Sequence, residues 1–128
     1  MPGAEEISVR KLTLAVDVGE AINPDGVINQ IEGGAIQATS WVLKERARFD
    51  RQRITSTNWT EYPILRFSEV PDIEVELIQR PETDPVGAGE AAHGPVTAAI
   101  AIEALRRQTL REFPEGPHLA VGKTPGTT

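Results

Sequence analysis

Residues 11–26 read Lys-Leu-Thr-Leu-Ala-Val-Asp-Val-Gly-Glu-Ala-Ile-Asn-Pro-Asp-Gly, and this stretch decides the fold. Leu12, Leu14, Val16 and Val18 alternate with Lys11, Thr13, Ala15 and Asp17, the period-two pattern of a strand with one buried face. Gly19 stops the strand. Asn23-Pro24-Asp25-Gly26 is a dense turn signal that can equally start a helix, with Asn23 as cap and Pro24 in the first turn. Val27, Ile31, Ala35, Ala38 and Val42 then recur at spacings of three and four, which predicts a helix over about residues 24–46. Gly33-Gly34 in its middle contradicts the pattern, at roughly 1 kcal/mol per glycine relative to alanine. Such a pair marks a place where something approaches the backbone closely.

Outward from that core, Asp50-Arg51-Gln52-Arg53 is a charged turn, and the β-formers from Ile54 to Tyr62 predict an extended run into Pro63. Ile73, Val75 and Leu77 alternate with Glu74 and Glu76, a second half-buried strand. Its charged face predicts an antiparallel neighbour, because parallel sheets are ordinarily covered on both sides. A small-residue loop, Val86-Gly87-Ala88-Gly89-Glu90-Ala91-Ala92-His93-Gly94-Pro95, feeds a helix over about residues 95–111, with Val96, Ala99, Ile100 and Leu105 as its buried face. The expected fold class is α+β: a small mixed or antiparallel sheet packed by two main helices, about 24–46 and 95–111. Residues 1–9 read as a flexible arm and 115–128, rich in Pro and Gly, as a flexible tail around one unit at 10–114.

The 128 residues fit one domain and contain no cysteine, which excludes disulfides, iron–sulfur ligation and thiol nucleophiles. A formal net charge of -6 argues against nucleic acid and anionic membrane as partners. The acidic N-terminus has no apolar stretch of a secretory signal, so a cytoplasmic location is expected. No P-loop and no nucleophile elbow occur, and His93 and His118 alone do not make a metal site. His93 reads as a solvated loop residue, Trp41 and Trp59 as core anchors, and Glu69, Asp72, Glu74 and Glu76 as a solvated strand face.

Two places can carry chemistry. Glu90 lies among Gly and Ala just before a helix, where a ligand seated beside it would desolvate the carboxylate and make it a competent general base. The bland alternative is a first-turn glutamate favoured by the helix dipole. Gln30 and Gln37 share one helical face beside the bare glycines and can hydrogen-bond a polar cofactor; the alternative is glycine-mediated packing with exposed glutamines.

Three segments, taken together and in this order, resemble a known family. They are Ala21-Ile22-Asn23-Pro24 leading to Asn29-Gln30-Ile31-Glu32-Gly33-Gly34, then Trp59-Thr60-Glu61-Tyr62-Pro63, then Gly87-Ala88-Gly89-Glu90-Ala91-Ala92-His93-Gly94-Pro95. The chain is similar to the C-terminal part of the molybdopterin-binding large subunit of the xanthine dehydrogenase and aldehyde oxidase family, of isoquinoline 1-oxidoreductase or nicotinate dehydrogenase type. It departs from the family at Ile102-Glu103-Ala104, where Ala-Asn-Ala is common, and at Asn29, where glycine is common.

The resemblance implies that residues 10–114 are the C-terminal segment of a molybdenum cofactor-binding domain. Enzymes of the family hydroxylate an N-heterocycle or aldehyde carbon with oxygen from water. Glu90 then corresponds to the base that takes a proton from the Mo–OH group, and Gln30 to the glutamine that hydrogen-bonds the pterin, with Gly33, Gly34 and Gly89 against the cofactor. That cofactor is expected to be molybdopterin cytosine dinucleotide, with none retained by this chain alone. The implied partners are the remainder of the molybdopterin-binding subunit, a small 2Fe-2S subunit and a small substrate. The absence of cysteine agrees, since the clusters of this group sit on the separate small subunit. The competing reading is a stand-alone, non-catalytic α+β binding or interaction module whose former interface is buried by self-association or by a protein partner.

Overall fold

The computed structural model describes residues 7–112, with side chains through residue 108. Four main elements follow in the order β1 (Lys11–Asp17), α1 (Pro24–Leu43), β2 (Asp72–Ile78) and α2 (His93–Glu112). This is the expected α+β class. Residues 1–6 of the arm expected at 1–9, and the whole tail expected at 115–128, lie outside the described residues; Val9, within that arm, packs against the core.

α1 begins as the sequence dictates. Asn23 Oδ1 accepts from the Gly26 N–H at 3.0 Å, Pro24 needs no donor in the first turn, and Asp25 faces the positive end of the helix. It ends three residues before Arg46 because the side chains that follow are drawn into the crossover. Lys44 pairs with Glu69, and the Tyr62 hydroxyl donates to Glu45 at 2.8 Å. Ile31, Ala35 and Ala38 pack against Ala92, Val96 and Ile100 of the α2 end, forming a core of small and aliphatic side chains. The polar side chains inside it are satisfied: Thr39 donates to the Ala35 carbonyl at 2.7 Å, and Ser40 Oγ accepts from the Leu65 N–H at 2.9 Å.

The two strands are parallel, with Leu12 opposite Ile73 and Val16 opposite Leu77, which corrects the antiparallel expectation. A parallel pair needs a long crossover, and α1 with the segment after it supplies one, returning the chain to the end of the sheet from which β1 started. The outer face is solvated because charge, not a second helix layer, covers it. Lys11 pairs with Glu74 at 2.7 Å, and Arg80 pairs with Asp17 at 2.9 Å.

The extended run expected from Ile54 to Tyr62 shrinks to one antiparallel bridge, Phe49 with Ile54, followed by a turn. Asn58 makes that turn: its Oδ1 accepts from Thr60 at 2.9 Å, and its carbonyl accepts from Tyr62 at 2.9 Å. Trp59 therefore ends up 75% exposed and Trp41 43%, so neither anchors the core. Glycine–alanine packing between α1 and α2 leaves no room for an indole. Ala99 and Leu105, expected on the buried face of α2, are exposed as well.

Candidate functional site

The two candidate segments meet. Gln30 Nε2 donates to the Gly89 carbonyl at 2.6 Å, tying the glycine-rich loop to the first half of α1. Two turns further along the same face, Gln37 Oε1 lies 2.9 Å from His93 Nε2. Between these bonds sits Gly34, where a Cβ would come to 3.2 Å from His93 Cε1 and 3.3 Å from Ala92 Cβ. Gly34 thus lets the start of α2 lie close against α1, and its neighbour Gly33 faces open space. One face of α1 carries the loop from Gly89 to His93.

His93 is not a solvated loop residue. Its ring centroid lies 5.0 Å from that of Trp41, tilted by 35°. With Gln37 Oε1 toward the ring, Nε2 bears the hydrogen and Nδ1 is the bare nitrogen, buried without a partner among the described residues. The Gln–Gly-Gly–Gln spacing hints at a partner across this face, but the partner's identity depends on where α2 lies.

Below the Gln30–Gly89 bond opens a cleft of about 450 Å³, lined among others by Ala21, Asn23, Gly26, Ala88 and Gly89. Its far wall is stitched by backbone, from Glu20 N–H to the Thr83 carbonyl at 2.8 Å and from Val86 N–H to the Val18 carbonyl at 2.9 Å. The stitching requires Gly19: its φ is +69°, and a Cβ there would fall 2.3 Å from the Asp84 carbonyl oxygen.

Glu90 follows Gly89 directly in the turn that starts α2, its carbonyl accepting from the His93 N–H at 3.2 Å. Its side chain is exposed and has no hydrogen-bond partner among the described residues. Gly87 and Gly89, like Gly33, would admit a Cβ without contact. Gln30 and Gly89 thus line one cleft, and the unpartnered carboxylate of Glu90 follows Gly89 directly along the chain. No helix among the described residues is long and apolar enough to cross a membrane.

Residues 2–71 match the family model of the molybdopterin cofactor-binding domain. The chain belongs to that family. Gln30, Gly33 and Gly34 fall within the matched span, and Gly89 and Glu90 lie beyond it. The chain is 44% identical over 96 residues to a nicotinate dehydrogenase subunit from Pseudomonas putida, covering 75% of this chain and 8% of that protein. It is 40% identical over 126 residues to the beta subunit of isoquinoline 1-oxidoreductase from Brevundimonas diminuta, covering 95% of this chain and 16% of that one. Among solved structures, it resembles quinoline 2-oxidoreductase from Pseudomonas putida 86 with a TM-score of 0.61 and 31% identity, over 73% of this chain and 13% of that one. The xanthine dehydrogenase and aldehyde oxidase group expected from the three motifs is the one found. The chain spans only a small part of each of these relatives.

Proposed function

We propose that this chain supplies the general base and one edge of the cofactor pocket in the molybdopterin-binding subunit of a molybdenum hydroxylase. The observation that carries this reading is the Gln30–Gly89 hydrogen bond of 2.6 Å, which puts the amide and the loop bearing Glu90 at one cleft. The residues fit a pterin. Gln30 keeps its Oε1 and a second amide hydrogen after bonding Gly89, Gly33 and Gly89 present bare backbone, and the cleft beside Gly89 is lined by small and apolar side chains, Ile22, Val27 and Val86 among them. Gly34 contributes indirectly, by letting the loop close onto α1.

When bound, the molybdopterin group, in its cytosine dinucleotide form, supplies the metal centre at which an N-heterocycle or aldehyde carbon is hydroxylated with oxygen from water. Glu90, whose carboxylate has no hydrogen-bond partner among the described residues, takes up the proton released in that step. Gln30 orients the pterin while holding the Gly89 carbonyl, so base and cofactor are referenced to the same side chain. The remaining walls come from the rest of the subunit, electrons leave through a small 2Fe-2S subunit, and the assembly works in the cytoplasm. Alone, the chain offers a single edge, so it retains no cofactor and turns nothing over.

The decisive test is Glu90→Gln in the assembled enzyme. Turnover should fall by about 10²–10⁴-fold with molybdenum content unchanged, the size of a lost general base. Near-normal turnover removes Glu90 from the mechanism. Molybdenum at near one atom per isolated chain, with dehydrogenase activity, would overturn the single-edge reading.

A further inference from the structure

Among the described residues, β2 pairs with one edge of β1 and the other edge is bare. The Arg10 carbonyl accepts from the Asp72 N–H at 3.0 Å, so Arg10, Leu12, Leu14 and Val16 direct their backbone groups to β2. By the alternation of a strand, Thr13 and Ala15 direct N–H and C=O to the opposite edge. Along that edge runs a cleft of about 260 Å³, floored by β1 and roofed by Ile31, Pro95, Val96 and Ala99.

The helix layer is wider than the sheet beneath it. Two packed helices sit about 8–10 Å apart, whereas strands repeat about every 4.8 Å, so two helices roof about four strands. Here there are two strands. α1 rests on β2, and across the cleft from β1 stand Val96 and Ala99 of α2, which itself rests on α1. Its overhanging face, Pro95, Ala99 and Ile102, is apolar and exposed, with Ile102 at 65%.

We infer that this slot receives an extended strand from the remainder of the molybdopterin-binding subunit, adding to the sheet at the free edge of β1 beneath α2. The inference rests on the subunit reading proposed above. The occupant is chosen by length: this chain spans 8% and 16% of its relatives, so most of such a subunit lies outside it. The slot also states the chemistry of what fills it. Backbone pairing to Thr13 and Ala15 supplies the affinity, alternate apolar side chains enter the cleft against Ile31 and Val96, and the intervening ones face solvent beside the charged outer face.

The test isolates a tagged chain from its own cells together with any accompanying molybdopterin-binding polypeptide, and compares β1 amide exchange in that complex with the free chain. Thr13 and Ala15 should exchange slower in the complex by roughly an order of magnitude or more. Ala15→Pro removes an N–H only from the free edge, so its free chain should melt like the parent while complex is lost. Val16→Pro removes a β1–β2 donor and serves as the contrast, losing the fold itself. Complex formed with unchanged exchange at Thr13 and Ala15, or with full affinity by Ala15→Pro, overturns the strand slot and leaves the subunit reading standing. Concentration-dependent protection of the free chain overturns it in favour of a second copy. No accompanying molybdopterin-binding polypeptide overturns both.

Discussion

At the scale of single residues, the adjacent glycines of α1 have opposite jobs. A methyl at Gly33 meets nothing, so Gly33→Ala should stabilise the free chain by about 0.5–1 kcal/mol through helix propensity alone. A methyl at Gly34 meets the His93 ring, which cannot step aside because Gln37 and Trp41 hold it. Gly34→Ala should therefore destabilise by about 1 kcal/mol or more, as overpacking does. Denaturant melts of the two variants check the contrast, and equal shifts would remove the packing role of Gly34.

The same residues mark the limit of what sequence shows of the site. Gln30, Gln37 and the glycine pair are readable as one face, because helical spacing is a local property. That each glutamine already bonds protein is not, since Gly89 and His93 reach them only through the packing of α2 on α1. His93 looks solvated in the sequence for the same reason.

Among the elements, the start of α1 is the most locally determined. Asn23→Ala removes the acceptor for Gly26 and should cost about 1 kcal/mol. Gly19→Ala should cost more, at least about 1–2 kcal/mol for the left-handed conformation, with displacement of the Asp84 carbonyl added. Thermal melts of both variants give the ranking, and a milder Gly19→Ala would show that the wall of the 450 Å³ cleft yields easily. Both strands and both helices are legible from period alone. Strand direction is not, because alternation in β2 reports one buried face and is silent on which way its neighbour runs. The turn at Asn58 is hidden by the β-forming threonines and tryptophan around it, whose preference a single side-chain acceptor outweighs.

Across the whole molecule, acid is the sensitive direction. Lys44 first, and then the Arg66 N–H, hold the Glu69 carboxyl below its ordinary value of 4.5. Lys11 does the same for Glu74, and Arg106 with Arg107 push Glu103 down to about 2. A depressed carboxyl stabilises the fold above its unfolded value, and that contribution disappears as pH falls through the folded value. Stability lent by the Lys44–Glu69 tie should thus be complete at neutral pH and decline below about pH 4.5. Glu69→Gln should melt earlier than the parent at pH 7 and converge with it towards pH 3, a gap read from denaturant melts across pH. A gap that stays constant with pH would show that the tie carries no charge-dependent stability.

The parallel register also decides the order of events as the chain is made. Leu12 meets Ile73, so β1 leaves the ribosome with no local strand to fold back onto. It must wait while α1 and the crossover are synthesised, several seconds at roughly 5–20 residues per second. Closing so distant a pair makes sheet formation the slow step of folding, after α1 has already formed. During that interval both edges of β1 are bare, and a strand delivered by the remainder of the subunit would find its place before β2 exists.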